Sequence, residues 1–306
     1  MLQSKRKSTH KQYDCYLQEW FSYCCEHGLS PHRCNVTKAI DFLEQLRISR
    51  GLGYSAINTA RSALSSILVP IDNISFGKHH LVRTYLRGVY NITPPVPRYH
   101  NTWDPALVLK LLQTWSPAKD LDLKTLTFKV VTLTLLVSGQ RIQTLPFLSL
   151  DYMQKTDSCY TFRIYDHLKQ SRPGYKNPVI SLKAYPNDVS LCIFTFMLEY
   201  LSRTKNLRKD NYVFVCFKKP HGPASKDTIT RWVKVVLEKA GIDTAIFAPH
   251  SIRSASSSAA ERGGAPLQEI LDTAGWSGDS VFGKFYNKPL VSSSSYDKAI
   301  LQACTR

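Results

Sequence analysis

No stretch of this 306-residue chain holds the roughly 18 consecutive apolar residues that a membrane-crossing helix requires, so no membrane span is expected. The opening segment, Met1 to His10, is polar and has no apolar signal core, which argues against export. Cysteine occurs eight times but never as a Cys-x-x-Cys pair. Cys15, Cys24, Cys25 and Cys34, with His27 and His32, gather loosely at spacings that match no zinc pattern, so reduced thiols and no metal site are expected. A Gly-x-x-x-x-Gly-Lys loop is missing, as is any convincing acidic cluster, which leaves nucleotide phosphates and a catalytic metal without an evident cradle. No internal repeat is visible, and only Ser292 to Ser295 is of low complexity.

Acidic residues are the scarce charge. There are 23 Asp and Glu against 40 Lys and Arg, giving a formal net charge of +17 and a pI near 9.5. The excess is not confined to a tail: residues 1–98 hold 13 basic against 6 acidic side chains, and residues 99–306 hold 27 against 17. Two basic halves suit a polyanion gripped from both sides better than a single sticky arm would. Hydrophobic residues make up 43%, and the length is enough for two domains with separate cores.

Residues 1–92 read as a small helical domain. Tyr13, Tyr16, Leu17, Trp20 and Tyr23 recur at helical spacing over Thr9–Glu26, a stripe more in keeping with a core than with a base-stacking surface. Thr37 can cap a second helix, Ser55–Leu68 gives a third, and Lys78–Val89 a fourth. Pro94, Pro95 and Pro97 then forbid a helix, marking residues 93–102 as a stiff linker. Residues 103–306 are mixed. Helices are expected over Pro105–Trp115, Leu123–Val137, Asp188–Leu201, Ser225–Ala240, Ser251–Arg262, Pro266–Ala274, Ser280–Phe285 and Tyr296–Cys304. Strands are expected at Tyr160–Ile164 and Val179–Leu182, joined by the turn Ser171-Arg172-Pro173-Gly174, and at Tyr212–Phe217.

Several polar residues stand out against this background. Arg141 follows a long apolar helix among apolar neighbours, where a cation needs a partner: an ion pair, or an anion matched to its planar fork. Lys169 sits in the polar turn between two strands, with Arg172 and Lys176 nearby; such a turn is ordinarily a solvated charge run, although a mobile lysine there can reach a bound phosphate. His250 opens a helix, whose free N–H groups favour an anion, and Arg253 lies one turn on. Trp276 and Tyr286 follow, each of a type that usually ends in a core or at its rim. Basic groups gathered around one tyrosine hydroxyl are what attack on a phosphodiester needs.

The ordered set Arg141, Lys169, His250-x-x-Arg253, Trp276, Tyr286 resembles the signature of the tyrosine recombinases, a family related to phage integrases. Residues 9–70 look like the helical core-binding domain of that family, and the stretch Ala274–Pro289 looks most like recombinases of DIRS-like eukaryotic mobile elements. The resemblance implies a mainly α fold with a small β-sheet. A helical core-binding domain would cover 1–92, a linker 93–102, and an α+β catalytic domain with a C-terminal tail helix 103–306. It implies site-specific cutting and rejoining of double-stranded DNA through a 3′-phosphotyrosyl intermediate on Tyr286, with Tyr296 as the rival nucleophile. Arg141, Arg253, His250 and Trp276 would hold the phosphate, and Lys169, or Lys176 in its place, would protonate the leaving oxygen. No cofactor is implied. Assembly into a tetramer on paired sites, through exchange of the tail helix, and action in the nucleus are expected. One departure is Thr144, where most members carry an acid three residues after the first arginine. Two other readings remain: a DNA-binding regulator of the same fold that has lost its chemistry, with Pro266–Phe285 as a helix-turn-helix, and a type IB topoisomerase.

Overall fold

The computed structural model describes residues 7–96, 99–168, 171, 174, 177–276, 283 and 288–290. It divides into two compact units, Met1–Pro97 and Arg98–Arg306. The first unit contains α1 (Lys7–Glu26), α2 (Val36–Arg50), α3 (Tyr54–Leu64) and α4 (His80–Ile92). Its core is the aromatic stripe of α1 packed on the other helices. Trp20 is fully buried, stands edge-on to Phe42 at 5.1 Å, and donates its indole N–H to the Pro31 carbonyl at 2.9 Å. Leu43, Ile57, Leu64 and Val82 complete that core.

Three boundaries differ from expectation for local reasons. Asn35, not Thr37, caps α2, because its extended backbone lets Oδ1 accept from Thr37 N at 2.9 Å. The third helix stops at Leu64 rather than Leu68: Ser66 Oγ takes the Ala63 carbonyl at 2.6 Å, and the chain tightens into i→i+3 turns ahead of Pro70. The fourth begins at His80, where the ring of His79 accepts from Leu81 N, after a short 3-10 turn at Phe76–Lys78.

The second unit is built around α6 (Leu123–Ser138), which is buried almost throughout, its polar Thr127, Lys129, Thr132 and Thr134 included. It is surrounded by α5 (Pro105–Thr114), α7 (Ile193–Thr204), α8 (Lys226–Lys239) and α9 (Ser251–Arg262), with α10 (Leu267–Ala274) packed on α9. A three-stranded antiparallel sheet in the order β1 (Met153–Lys155), β2 (Cys159–Arg163), β3 (Val179–Lys183) lies to one side. Tyr160 faces Leu182 and Phe162 faces Ile180, and all four side chains point into the core. The edge strand β1 is not foreshadowed by pattern: three residues of Met-Gln-Lys are too short and too polar to show alternation.

Two expected elements of this unit change form. Tyr212–Phe217 makes only the single bridges Ser149–Tyr212 and Val215–Pro223, since the Val215 N–H goes to the Tyr200 hydroxyl at 3.0 Å instead of to a ladder. The helix expected from Asp188 starts at Ile193, because Asp188 caps a separate 3-10 turn at Val189–Leu191. The expected helices at Ser280–Phe285, apart from Gly283, and Tyr296–Cys304 lie outside the described residues. Among the described residues no group of His, Cys, Asp and Glu could hold a metal, and no helix is long and apolar enough to cross a membrane.

One core residue titrates near the working range. Lys129 on α6 is fully buried, donates to the carbonyls of Leu112 and Trp115 at 2.7 and 2.5 Å, and lies 3.6 Å from the Phe196 ring centroid. It thus caps the C-terminal end of α5, where a cation is favoured. Burial pushes its pKa down to about 8 from an ordinary 10.5. Between those values the unfolded chain binds more protons than the folded one, so stability rises with pH across that window and is flat below it. The difference in unfolding free energy between the parent and Lys129→Met, followed by denaturant titration, is expected to rise by about 3 kcal/mol over that window. A difference that ignores pH would mean that the ammonium is hydrated.

Candidate active site

The site is assembled around α9. Helix α6 ends where Gly139 turns left-handed at φ 57°, a backbone conformation that favours glycine. Arg141 follows in extended conformation, half-buried, and leads into a 3-10 turn at Ile142–Phe147. Gln140 Nε2 donates to the Thr273 carbonyl at 2.6 Å, tying this loop to α10. At the end of α10, Gly275 is left-handed at φ 69°, and Trp276 N returns to the Leu271 carbonyl at 2.9 Å, closing a Schellman turn. Trp276 is thereby buried against Ile270, Leu271 and Ala274.

Arg253 joins the pieces. It is 3% exposed, and its Nη1 donates to the Gly139 carbonyl at 2.7 Å and the Ala274 carbonyl at 2.8 Å. Those carbonyls lie two residues before Arg141 and two before Trp276. The guanidinium also lies 4.3 Å from the Trp276 ring centroid. A planar fork can staple backbone with one nitrogen and grip an anion with others, which an ammonium cannot do. Around it the buried face of α9 is small and hydroxylic, with Ser251, Ser254, Ser257 and Ser258, so neighbouring segments approach closely.

His250 precedes α9 and is exposed. The expected open helix start is absent. The N–H groups of Ser251, Ile252 and Arg253 already donate to the carbonyls of Ala248, Pro249 and His250, so they are not open to an anion. His250 and Arg253 also do not share one environment, the first being exposed and the second buried.

Lys169, Lys176, Tyr286 and Tyr296 lie outside the described residues. The base of the Lys169 loop is described. Asn177 Nδ2 donates to the carbonyls of Ile164 and Asp166, each at 2.9 Å, while its Oδ1 accepts from Ser171 Oγ at 2.6 Å. Downstream of Tyr286 the chain is again described at Lys288–Leu290 and is fixed to α9 and to the start of this unit, Ser258 Oγ accepting from Lys288 N at 3.1 Å. Sequence reading missed Trp103, whose buried indole N–H donates to Ser251 Oγ at 2.8 Å and so fixes the start of α9. Nothing in the sequence links two residues 148 positions apart.

The first unit carries a second basic feature. A groove of about 600 Å³ between α3 and α4 is lined by Arg61, Lys78, Arg83 and Arg87, with the edge-to-face pair Tyr54–Tyr90 at 5.3 Å, and no carboxylate lines it. Gly77 makes room for this arrangement: a Cβ there would fall 2.5 Å from Arg61 Nη1.

No family model matches this sequence, and neither does any curated protein. Solved structures do. A lambda integrase dimer bound to a COC′ core site superposes with a TM-score of 0.58 at 15% identity, over 95% of this chain and 92% of that one. The XerH site-specific recombinase, in a post-cleavage complex with its palindromic difH substrate, gives 0.57 at 14% identity, over 89% of this chain and 72% of that one. The Tn1549 transposon integrase, in complex with transposon right end DNA, gives 0.56 at 14%, over 89% and 86%. At these identities the likeness is one of fold, and it extends over nearly the whole chain.

Proposed function

Because this chain has the fold of the tyrosine recombinases and integrases, we propose that it is a site-specific DNA recombinase that cuts and rejoins duplex DNA through Tyr286. The observation that carries the reading is the clasp made by Arg253, which ties the Arg141 loop and the Trp276 turn to the helix that begins beside His250. Four of the six expected residues are thereby held on segments that share one helix.

In the proposed step the Tyr286 oxygen forms a bond to the scissile phosphorus and the bond to the 5′ oxygen breaks. His250 takes the tyrosine proton, and Lys169 supplies one to the departing 5′ oxygen. Arg141 and Arg253 face the non-bridging oxygens, where charge builds in the transition state, and Trp276 completes their enclosure. The phosphotyrosyl ester conserves the energy of the broken bond, so a 5′ hydroxyl from a partner strand can reverse the step without ATP. Exchange between strands calls for several copies on paired sites, and we assign a tetramer. Action in the nucleus follows the resemblance to eukaryotic mobile-element enzymes.

The test is covalent trapping. The protein is mixed with nicked duplexes from the flanks of its own genetic element, whose short cleaved fragment diffuses away. An SDS-resistant adduct carried on the Tyr286 peptide is expected. Binding without any adduct would favour the regulator, and relaxation of supercoiled plasmid at low protein concentration would favour the topoisomerase.

The α3/α4 groove is assigned to the DNA backbone. Arg83→Ala/Arg87→Ala is expected to weaken binding to all sequences alike and to reduce the slope of log K against log salt by about 2, near 0.9 for each phosphate that is no longer neutralised. An unchanged slope would remove this groove from the interface.

A further inference from the structure

We propose that Lys288 is a positioning residue for the nucleophile, latching the chain just past Tyr286 to α9 and to the first residues of the catalytic unit. The proposal rests on the reading of Tyr286 as the attacking residue. Every polar group of Lys288 is engaged. Its N–H donates to Ser258 Oγ at 3.1 Å, and its carbonyl accepts from Arg262 Nη1 at 3.3 Å. Its ammonium donates to the Tyr99 carbonyl at 2.8 Å and sits 4.0 Å from the Tyr99 ring centroid. The next residue continues the attachment, the Pro289 carbonyl accepting from Thr102 N at 2.8 Å, and Leu290 bridges Thr102 in parallel.

This arrangement is more than a surface lysine lying where it falls. The side chain is partly buried, and burial lowers its pKa, a cost that an exposed lysine would not meet. Two peptide units separate Lys288 from Tyr286, a reach of at most about 7 Å, so fixing one narrowly limits the other. Ser258 and Arg262 belong to the helix that carries Arg253. Trp103, one residue past Thr102, holds the start of that same helix through Ser251. The short stretch from Tyr99 to Trp103 therefore holds both the segment that bears the nucleophile and the helix that grips the phosphate.

Lys288→Met keeps the aliphatic stem and removes the ammonium, and Lys288→Arg restores a cation. Both are compared with the parent in single-turnover cleavage of a nicked duplex, alongside DNA affinity and thermal midpoint. Two substrates are used, one with the ordinary phosphodiester and one with a 5′-bridging phosphorothiolate, whose sulfur leaves without a proton. For Lys288→Met the expected result is unchanged affinity and cleavage slowed about 10- to 100-fold by the same factor on both substrates, as misplacement of a reacting group produces. Lys288→Arg should recover most of the rate. Normal cleavage by Lys288→Met overturns the latch. Rescue by the phosphorothiolate alone also overturns it, since Lys288 would then be the acid that protonates the leaving group. If Lys288→Met fails to fold, Tyr99→Leu, which removes the ring and leaves the carbonyl, takes its place with the same expectation on both substrates. A parent protein whose adduct maps away from Tyr286 sinks the nucleophile assignment instead, a result distinct from a latch that makes no difference.

Discussion

A Tyr286→Phe protein is expected to bind duplex DNA as the parent does and to form no covalent adduct with it. Phenylalanine keeps the ring and removes only the oxygen that would carry the phosphate. Removing a covalent nucleophile loses at least about 1,000-fold, which takes the adduct below detection in a trapping experiment. Binding should survive, because the cations assigned to the backbone lie elsewhere, on α3 and α4 and at Arg141 and Arg253. Gel retardation and denaturing electrophoresis on the same samples separate the two properties. An adduct that persists in Tyr286→Phe would move the nucleophile, and Tyr296 is the first position to map.

The second large effect is expected at Arg253. Loss of one donor to a developing oxyanion lowers the rate by about 100- to 1,000-fold, and Arg253→Ala should fall in that range. The same substitution should also lower stability, because the Gly139 and Ala274 carbonyls lose their shared donor inside the protein. Arg253→Lys separates the two roles. Its ammonium can reach a carbonyl, so much of the stability should return. It cannot staple backbone and hold an anion as a fork does, so the rate should stay at least about 10-fold down. Single-turnover cleavage well below the thermal midpoint of each variant is the measurement. A loss under about threefold in Arg253→Ala would deny the residue any role at the phosphate.

The elements that frame the site could be read from the chain because their stops are local. Gly139 and Gly275 each end a helix in the left-handed region, and the helix after Pro249 and His250 follows directly from pattern. The alternation of Tyr160 and Phe162 with their neighbours likewise marks a half-buried strand. Some failures depended on partners distant in sequence, and others on local turns that periodicity does not reveal. Tyr212–Phe217 has strand composition, yet its backbone is satisfied by Tyr200 and by loops. The start of α9 has the sequence of an open anion site, yet the preceding turn consumes its first N–H groups. Arg141 reads as a cation in need of a partner, but its register against α9 is set by Gly139, Gln140 and α10, which no periodicity reveals. Thr144, where the resemblance leads one to look for an acid, is buried and gives its N–H to the Arg141 carbonyl at 2.8 Å, a backbone role open to any residue except proline.

Asn177 closes the sheet end of the hairpin between β2 and β3 by holding the carbonyls of Ile164 and Asp166. Such a stitch insulates what lies outside it from what lies inside. The register of β2 against β3 is carried by their own ladder and by this stitch at its end. Under the role proposed for Lys169, the placement of that lysine tunes proton delivery separately from the contacts that hold the sheet.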